Sequence, residues 1–586
     1  MTDTTPRGQI SDDWCIDSKS LNQRFPIYTR FNANDVLPEP ISPLGADLIW
    51  LPHVIAGFSN AYAEMGAISV AEANLEPDAM PAAGFRYGHM YVNVTTARLT
   101  GVRSGLGWEA VDASFFGSHP DAPPHEDHPT DGDPETSARL AARTGWTLTT
   151  SSFPELEEDT RIADRLRAQR PDFDEMSNAA LVAYARSLAP YQRMTWRGEL
   201  IGGAQAAVGP AVIASVLPEG SGISPFDLVG PAGDVVSAAP SYALWDLSRI
   251  VRNDVVLNEL FDAGVEGMVP WLKEHHPDFH QRFSAFLREF GYRGPSEWDL
   301  GADSWETRPE LPLALIDRMR HLEDAQSPAA RRGEATISAE RVVGRVMDGL
   351  NGNEEAVATL RMGLDSARRF AGWRELGKSN CIKVINESRV ALLEMGRRLT
   401  NEGQLAHPRQ IFMALDSELD RLVLQPDLVA GAIAQRELDW KEYAGLDVPL
   451  FLDARVPRVP IADLKRVASD TYEPASVGDT LTAIGAASGR ASGRARVITD
   501  TSSISSFEPG DVLVAPQTDP SWTPLFVVAS AVIVGVGAPN SHAMIVSREL
   551  GIPCVAGLEG ATQKIPDGAI VTVDGSAGTV TIDSIG

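Results

Sequence analysis

His542 stands where a strand should give way to a helix, and that placement suits an imidazole that carries phosphate. Ala531 to Val536 is a short apolar run, the pattern of a buried strand. Gly537 to Asn540 breaks the run, and Ser541 is a favourable N-cap. Ala543 to Leu550 then has the composition of a short helix that stops at Gly551 and Pro553. His542 falls in the first turn. Free backbone N–H groups and the positive end of the helix dipole gather there and favour an anion. A phosphorylated imidazole is such an anion. A lone histidine at a helix start can equally be a cap or a surface residue, and residue types alone leave both readings open.

A second cluster lies in Gly372-Trp-Arg-Glu-Leu-Gly-Lys378-Ser379. It formally satisfies the phosphate-loop pattern. Such a loop follows a buried strand and has a small, flexible interior. Here residues 358–370 are helix-patterned, and the interior holds Trp373, Arg374 and Leu376. A helix is expected instead. A spacing of four places Arg374 and Lys378 on one face. Two cations there can neutralise a transferring phosphoryl group, and arginine offers a bidentate fork. Glu375 points to a neighbouring face as a candidate base or orienting group. A solvated charged face is the alternative. His89 and Asn93 are candidates for assisting at an acceptor hydroxyl, with a structural role as the alternative. His119, His125 and His128 lie in a Pro/Asp/Gly-rich stretch, 118–135, expected to be an exposed loop. Its prolines argue against a fixed chelating geometry, and no metal is expected.

The elements that must position these groups follow from the pattern along the chain. At 586 residues more than one domain is expected. From about 137 to 440, apolar residues recur every three or four positions, which reads as mostly helix. Gly202-Gly203 and the small residues after them would allow close helix packing. Pro449 to Pro460 reads as an extended linker. After it, Val477 to Ile585 switches to short Val/Ile-rich strands with glycine turns, a compact α/β unit. The net charge of −28 argues against a general affinity for nucleic acid or anionic membrane. Cys15, Cys381 and Cys554 form neither a disulfide framework nor a metal-ligand spacing, which fits a reducing cytoplasm. No run approaches the length of a membrane span, and no signal-peptide core is evident.

The C-terminal motifs occur in a telling order: Thr518-Asp-Pro-x-Trp-Thr-Pro, Gly537, Ser541-His542-Ala, Ser547-Arg-Glu-Leu-Gly-Ile-Pro-Cys-Val, Ile565-Pro-Asp-Gly-Ala, Val573-Asp-Gly and Gly578-Thr-Val. Together they resemble the swivelling phosphohistidine domain of phosphoenolpyruvate synthase, pyruvate phosphate dikinase and the rifampicin phosphotransferases. The resemblance implies that His542 is the phosphorylated residue. One departure is Ala538-Pro539, where the family usually has a second glycine, so the loop is expected to be stiffer. Arg-Glu-x-x-Lys at 374–378, Ser388-Arg389, and Phe290 to Leu300 with Trp305-Glu306 resemble the substrate-binding part of rifampicin phosphotransferases. The resemblance adds Arg389, Arg293, Glu297 and Asp299 to the candidate substrate contacts. It implies a mainly α-helical acceptor-binding domain over 1–445, a linker over 446–474 and a small α/β swivelling domain over 475–586. A tethered carrier could then swing between a charging site and a delivery site.

Two parts of the resembling enzymes have no counterpart in the sequence. Too few residues follow His542 for a barrel, and no credible nucleotide site precedes it. The expectation is therefore a two-component arrangement, as in the aryl phosphate synthases that phosphorylate phenol or cresol. A separate ATP-grasp partner would bind ATP and Mg2+ and charge His542, releasing AMP and phosphate. This chain would bind no cofactor of its own and would pass the phosphoryl group to a small aromatic hydroxyl. A rifamycin acceptor, or a carrier without catalysis, are the alternatives.

Overall fold

The computed structural model describes residues 12–19, 21–73, 82–116, 119, 121–218, 220–221, 223–231, 239–466, 472–499, 507–518, 522–537 and 541–585. The Ala538-Pro539 step lies outside them.

The helical part is organised by one element, the helix Glu354–Asn401 of 48 residues. Asn353 caps it by accepting from the Ala356 backbone N–H, and Glu354 and Glu355 suit its positive end. No proline interrupts it, so it runs for about 70 Å at 1.5 Å per residue. Residues 372–379 lie in its middle, so they form no phosphate loop. The helix Asn178–Gln205 packs along it, and glycines set the spacing. A methyl group on Gly377 would stand 3.0 Å from the Cα of Glu199, and, on the next helix Val208–Ala214, one on Gly209 would stand 2.4 Å from the Ala367 nitrogen. Trp50, Phe58, Trp196 and Trp298 form an aromatic nest beneath this pair, with ring centroids 4.5–6.4 Å apart.

Gly396, further along the same helix, is under the same constraint. An added methyl would lie 2.1 Å from the carbonyl oxygen of Pro408, which is backbone and cannot step aside. Gly396→Ala is expected to cost about 1–3 kcal/mol, read as a lowered urea midpoint. Gly372 has nothing within 4 Å of its notional Cβ. Gly372→Ala should therefore stabilise by about 0.5–1 kcal/mol, and the pair of variants separates packing from helix propensity.

The N-terminal region adds a small sheet to this helical body. Its strands are β1 (Ile27–Thr29), β2 (Ala83–Arg86), β3 (His89–Asn93) and, after a two-residue strand β4 (Leu446–Asp447), β5 (Phe451–Asp453), in the order β2-β3-β1-β5. This corrects the expected linker. Tyr28 of β1 pairs with Leu452 of β5, and β4 pairs with β6 (Lys465–Arg466). The Tyr91 and Tyr87 hydroxyls donate to the carbonyls of Pro449 and Val459. Proline removes a donor but keeps its carbonyl, so the prolines that flank β5 do not prevent its pairing at the sheet edge. The connection between the domains thus narrows to 467–474, of which 467–471 lie outside the described residues.

Among the described residues the C-terminal domain holds eight strands: β7 (Thr480–Thr482), β8 (Ile484–Ala487), β9 (Arg490–Val497), β10 (Val512–Ala515), β11 (Ala531–Val534), β12 (Cys554–Ala556), β13 (Ile570–Asp574) and β14 (Thr579–Ser584). Their order is β7-β14-β13-β9-β10-β11-β12-β8, and β9 to β12 run parallel. β10 and β11 are buried along their whole length, as strands covered on both faces must be. The helix Thr523–Val528 connects β10 to β11, and the helix His542–Leu550 connects β11 to β12. This domain is docked on the helical one. A single apolar cluster runs from Leu244, Leu315 and Ile316 to Leu525, Phe526 and Val546. Asn34 donates to Gln517 across the boundary at 2.9 Å, and the Arg548 guanidinium sits 4.5 Å over the Phe226 ring. Among the described residues no helix is long and apolar enough to cross a membrane.

Candidate functional site

His542 is the first residue of its helix, beyond the carboxyl end of β11. Ligand sites in parallel sheets form outside the carboxyl ends of the strands, where loops diverge. Thr518 follows β10 at the same edge, and Thr523 opens the crossover helix that follows. Their hydroxyls lie 3.0 Å from Nδ1 and 3.1 Å from Nε2 of His542. The Phe526 ring meets the imidazole edge-on at 5.7 Å. Ser541 holds the N-cap position, but its side chain accepts no bond from the helix and its buried Oγ has no partner among the described residues. The first turn is closed by the backbone instead, Ile545 N–H to Ser541 O.

Across the domain boundary, His542 faces the middle of the long helix. Burial lowers its pKa to about 3; Glu375 opposes that shift, while Lys378, Arg293 and Arg374 reinforce it. The imidazole is therefore neutral near pH 7, with one unprotonated nitrogen whose lone pair can bond to phosphorus once the threonine hydroxyl beside it turns away. Oε1 of Glu375 receives both Arg374 Nε and Lys378 Nζ at 3.3 Å. Burial alone would raise Glu375. Lys378, Arg374 and Arg293 outweigh it and hold the carboxyl down at about 2. Arg293 also pairs with Glu297 at 3.3 Å, and Glu297 in turn accepts from the Gly294 N–H. The structure thus gathers His542, Arg374, Glu375, Lys378 and Arg293, with Glu297 behind the last of these.

The remaining sequence candidates are placed elsewhere. Arg389 is fully buried, and its guanidinium donates to the carbonyls of Leu300, Glu297 and Asp299 and to Asn386. It clamps the 297–300 segment to the long helix, which spends four of its five N–H donors within the protein. Asp299 accepts from the Ser42 hydroxyl at 2.5 Å and from the Ser42 and Gly301 N–H groups. Asn93 caps the helix Val94–Ser104 and donates to the Phe25 carbonyl. His89 is buried in β3 with Nδ1 at 2.9 Å from the Tyr87 carbonyl. Burial and Arg30 keep it neutral, well below the usual histidine range. These are structural roles, and they arise because each side chain is consumed by nearby backbone. In the 118–135 stretch, His125 lies 3.5 Å from Asp127 and 3.9 Å from Asp131, while His128 turns to Thr130.

The sequence reading missed four contributors. Thr518 and Thr523 flank His542 from a motif quoted only as a run. Glu549, two turns along the histidine helix, is pushed up to about 7 by burial and by Glu375, with Arg332, Arg374 and Lys378 opposing; it shares a small cleft with Tyr242, Arg332 and Thr523. Glu199 is buried on the helix Asn178–Gln205, beside Arg374. Its only sequence signal is its place one turn before Gly202-Gly203.

Two family models match the chain. The rifampicin phosphotransferase fourth domain matches residues 200–375, and the mobile domain of PEP-utilising enzymes matches residues 507–578. These ranges contain the cation cluster up to Glu375, and His542. Over these ranges the chain is similar to rifampicin phosphotransferases and to PEP-utilising enzymes. An uncharacterized protein of Mycobacterium tuberculosis is 27% identical over 96% of this chain and 62% of its own length. Rifampicin phosphotransferases of Streptomyces sviceus and Bacillus cereus are 30% and 28% identical over 59% and 51% of this chain, and 40% and 34% of theirs. The chain spans less than two thirds of the length of these relatives.

Proposed function

We propose that this chain carries a phosphoryl group on His542 and delivers it to an organic hydroxyl bound at the middle of the long helix. The observation that carries this reading is the juxtaposition itself: a neutral imidazole at a helix start, docked against Arg293, Arg374 and Lys378. A phosphoryl dianion on the imidazole would meet these cations as soon as the domain docks. Catalysis of phosphoryl transfer is largely positioning and charge stabilisation, and this site offers both.

The nucleotide chemistry is assigned to an ATP-grasp unit on a separate subunit, which would bind ATP and Mg2+ and charge His542 when the small domain swings away. The acceptor is proposed to be a phenol, whose ionisation near pH ~10 nearby cations would favour. A second reading, a rifamycin hydroxyl, draws support from the two relatives named as rifampicin phosphotransferases.

Both readings are tested with the chain charged at His542 by phosphoramidate, which needs no partner. Mixed with a panel of phenols and rifamycins, the charged chain should lose its label as a phosphate monoester appears. A label that stays on His542 against every hydroxyl would leave a carrier without an acceptor site and overturn the proposal.

A further inference from the structure

Any transfer to a hydroxyl must also dispose of a proton. Glu375 is the nearest carboxylate to the cations, and it is poorly suited to take it. Both neighbouring cations already bond to its Oε1, and at about 2 its affinity for a proton is very low.

Glu199 differs in each respect. It is 7% exposed and makes no hydrogen bond or ion pair with another described residue. It lies where the Asn178–Gln205 helix approaches the long helix closely, since a methyl on Gly377 would stand 3.0 Å from its Cα. Gly377 is flanked by Leu376 and Lys378, so the crossing falls within the cation cluster. A methyl on Gly203 would have Oε1 of Glu199 at 3.7 Å and Cγ of Arg374 at 3.9 Å. The unpartnered carboxyl and the arginine stem thus flank one spot. The charged and titratable groups around it are Arg374, Glu375, Lys378 and Cys381 on the long helix, Tyr62 on the helix Ile55–Met65, and Asp159 on the helix Pro154–Ala168.

We propose that Glu199 is the general base that takes the proton of the acceptor hydroxyl, an assignment that rests on the phosphotransfer reading above. In the transfer, the acceptor oxygen bonds to phosphorus as the N–P bond to His542 breaks. The electron pair of that bond stays on the imidazole nitrogen, which departs as neutral imidazole because the other ring nitrogen keeps its N–H, donated to a threonine hydroxyl. The acceptor's hydroxyl proton passes to the Glu199 carboxylate, and Arg374 and Lys378 face the phosphoryl oxygens. Burial raises Glu199 to about 7, against the pull of Lys378 and Arg374, which is the range where a base works best near neutral pH. The base must be deprotonated to act, so transfer should rise with pH through about 7 and level off above it.

The test is single-turnover transfer from the phosphoramidate-charged chain, with wild type, Glu199→Gln and Glu199→Asp, across phenols of graded acidity and across pH. Charging of His542 should be unaffected. Transfer to an ordinary phenol should fall about 10²–10⁴-fold in E199Q, with partial recovery in E199D. The deficit should shrink for nitrophenols, which are already ionised and need no base. The acidic limb near pH 7 should disappear in E199Q. A deficit that is the same for every phenol, or an acidic limb that persists in E199Q, overturns the base assignment and leaves the phosphotransfer reading standing. A wild-type limb away from pH 7 does the same, and this readout needs no variant to fold. If the wild-type label moves to no hydroxyl, both proposals fall together.

Discussion

His542→Ala should abolish the acid-labile phosphate on this chain and reduce transfer to background, whatever the acceptor. The loss should be total because none of the other described groups at the carboxyl edge of the parallel strands is a comparable nucleophile. Thr518 and Thr523 present hydroxyls, and Phe526 presents a ring. Stability should change little. His542 is half-buried, and the space it leaves is lined by the Thr518 and Thr523 hydroxyls, polar partners that suit a single water in place of the ring. The measurement is phosphate incorporated per chain under alkaline quench, beside a thermal melt of the same preparation. A label that survives in a folded His542→Ala chain would move the carrier to another residue and sink the mechanism.

The second large effect is expected at Arg374 and Lys378. Removing one preorganised cation from a site of developing charge costs about 10²–10³ in rate, so Arg374→Ala or Lys378→Ala should slow transfer by that much. Charging of His542 by phosphoramidate should be untouched, because it can occur with the small domain undocked. Each variant also releases Glu375 from one of the cations that hold it down. Its pKa should then rise, bringing an unwanted negative charge closer to titration but still ionised at neutral pH. Arg374→Lys should be intermediate, since it keeps the charge and loses the fork. Equal losses in charging and in transfer would point to damage to the fold rather than to the site.

Much of this site was legible because short-range rules govern it. The strand, the break and the helix around His542 follow from an apolar run, a glycine and a capping serine, and the structure places the helix at His542–Leu550. The four-residue spacing of Arg374 and Lys378 needed only a helix, and the helix is there. What sequence could not supply was which polar side chains are already spent. Arg389 and Arg374 look alike as residues, yet one binds three backbone carbonyls and the other faces the histidine. Glu199 was invisible for the converse reason: its environment is made by a helix more than 150 residues away in sequence. The expected linker failed because strand pairing with β1 is a long-range event that a proline-rich composition conceals.

The two threonines beside His542 have a further consequence. A hydroxyl can donate or accept by rotating about one bond, so Thr518 and Thr523 suit either tautomer of the ring equally. In the proposed transfer the second ring nitrogen keeps its proton, so the departing phosphoryl group leaves a neutral imidazole whose freed lone pair needs only a hydroxyl to face it. The hydroxyls can simply turn. A cradle of carboxylates or backbone amides would lock one tautomer and make each cycle wait for a proton to be moved. With threonine on both sides, the proposed carrier would be ready for recharging as soon as it is empty.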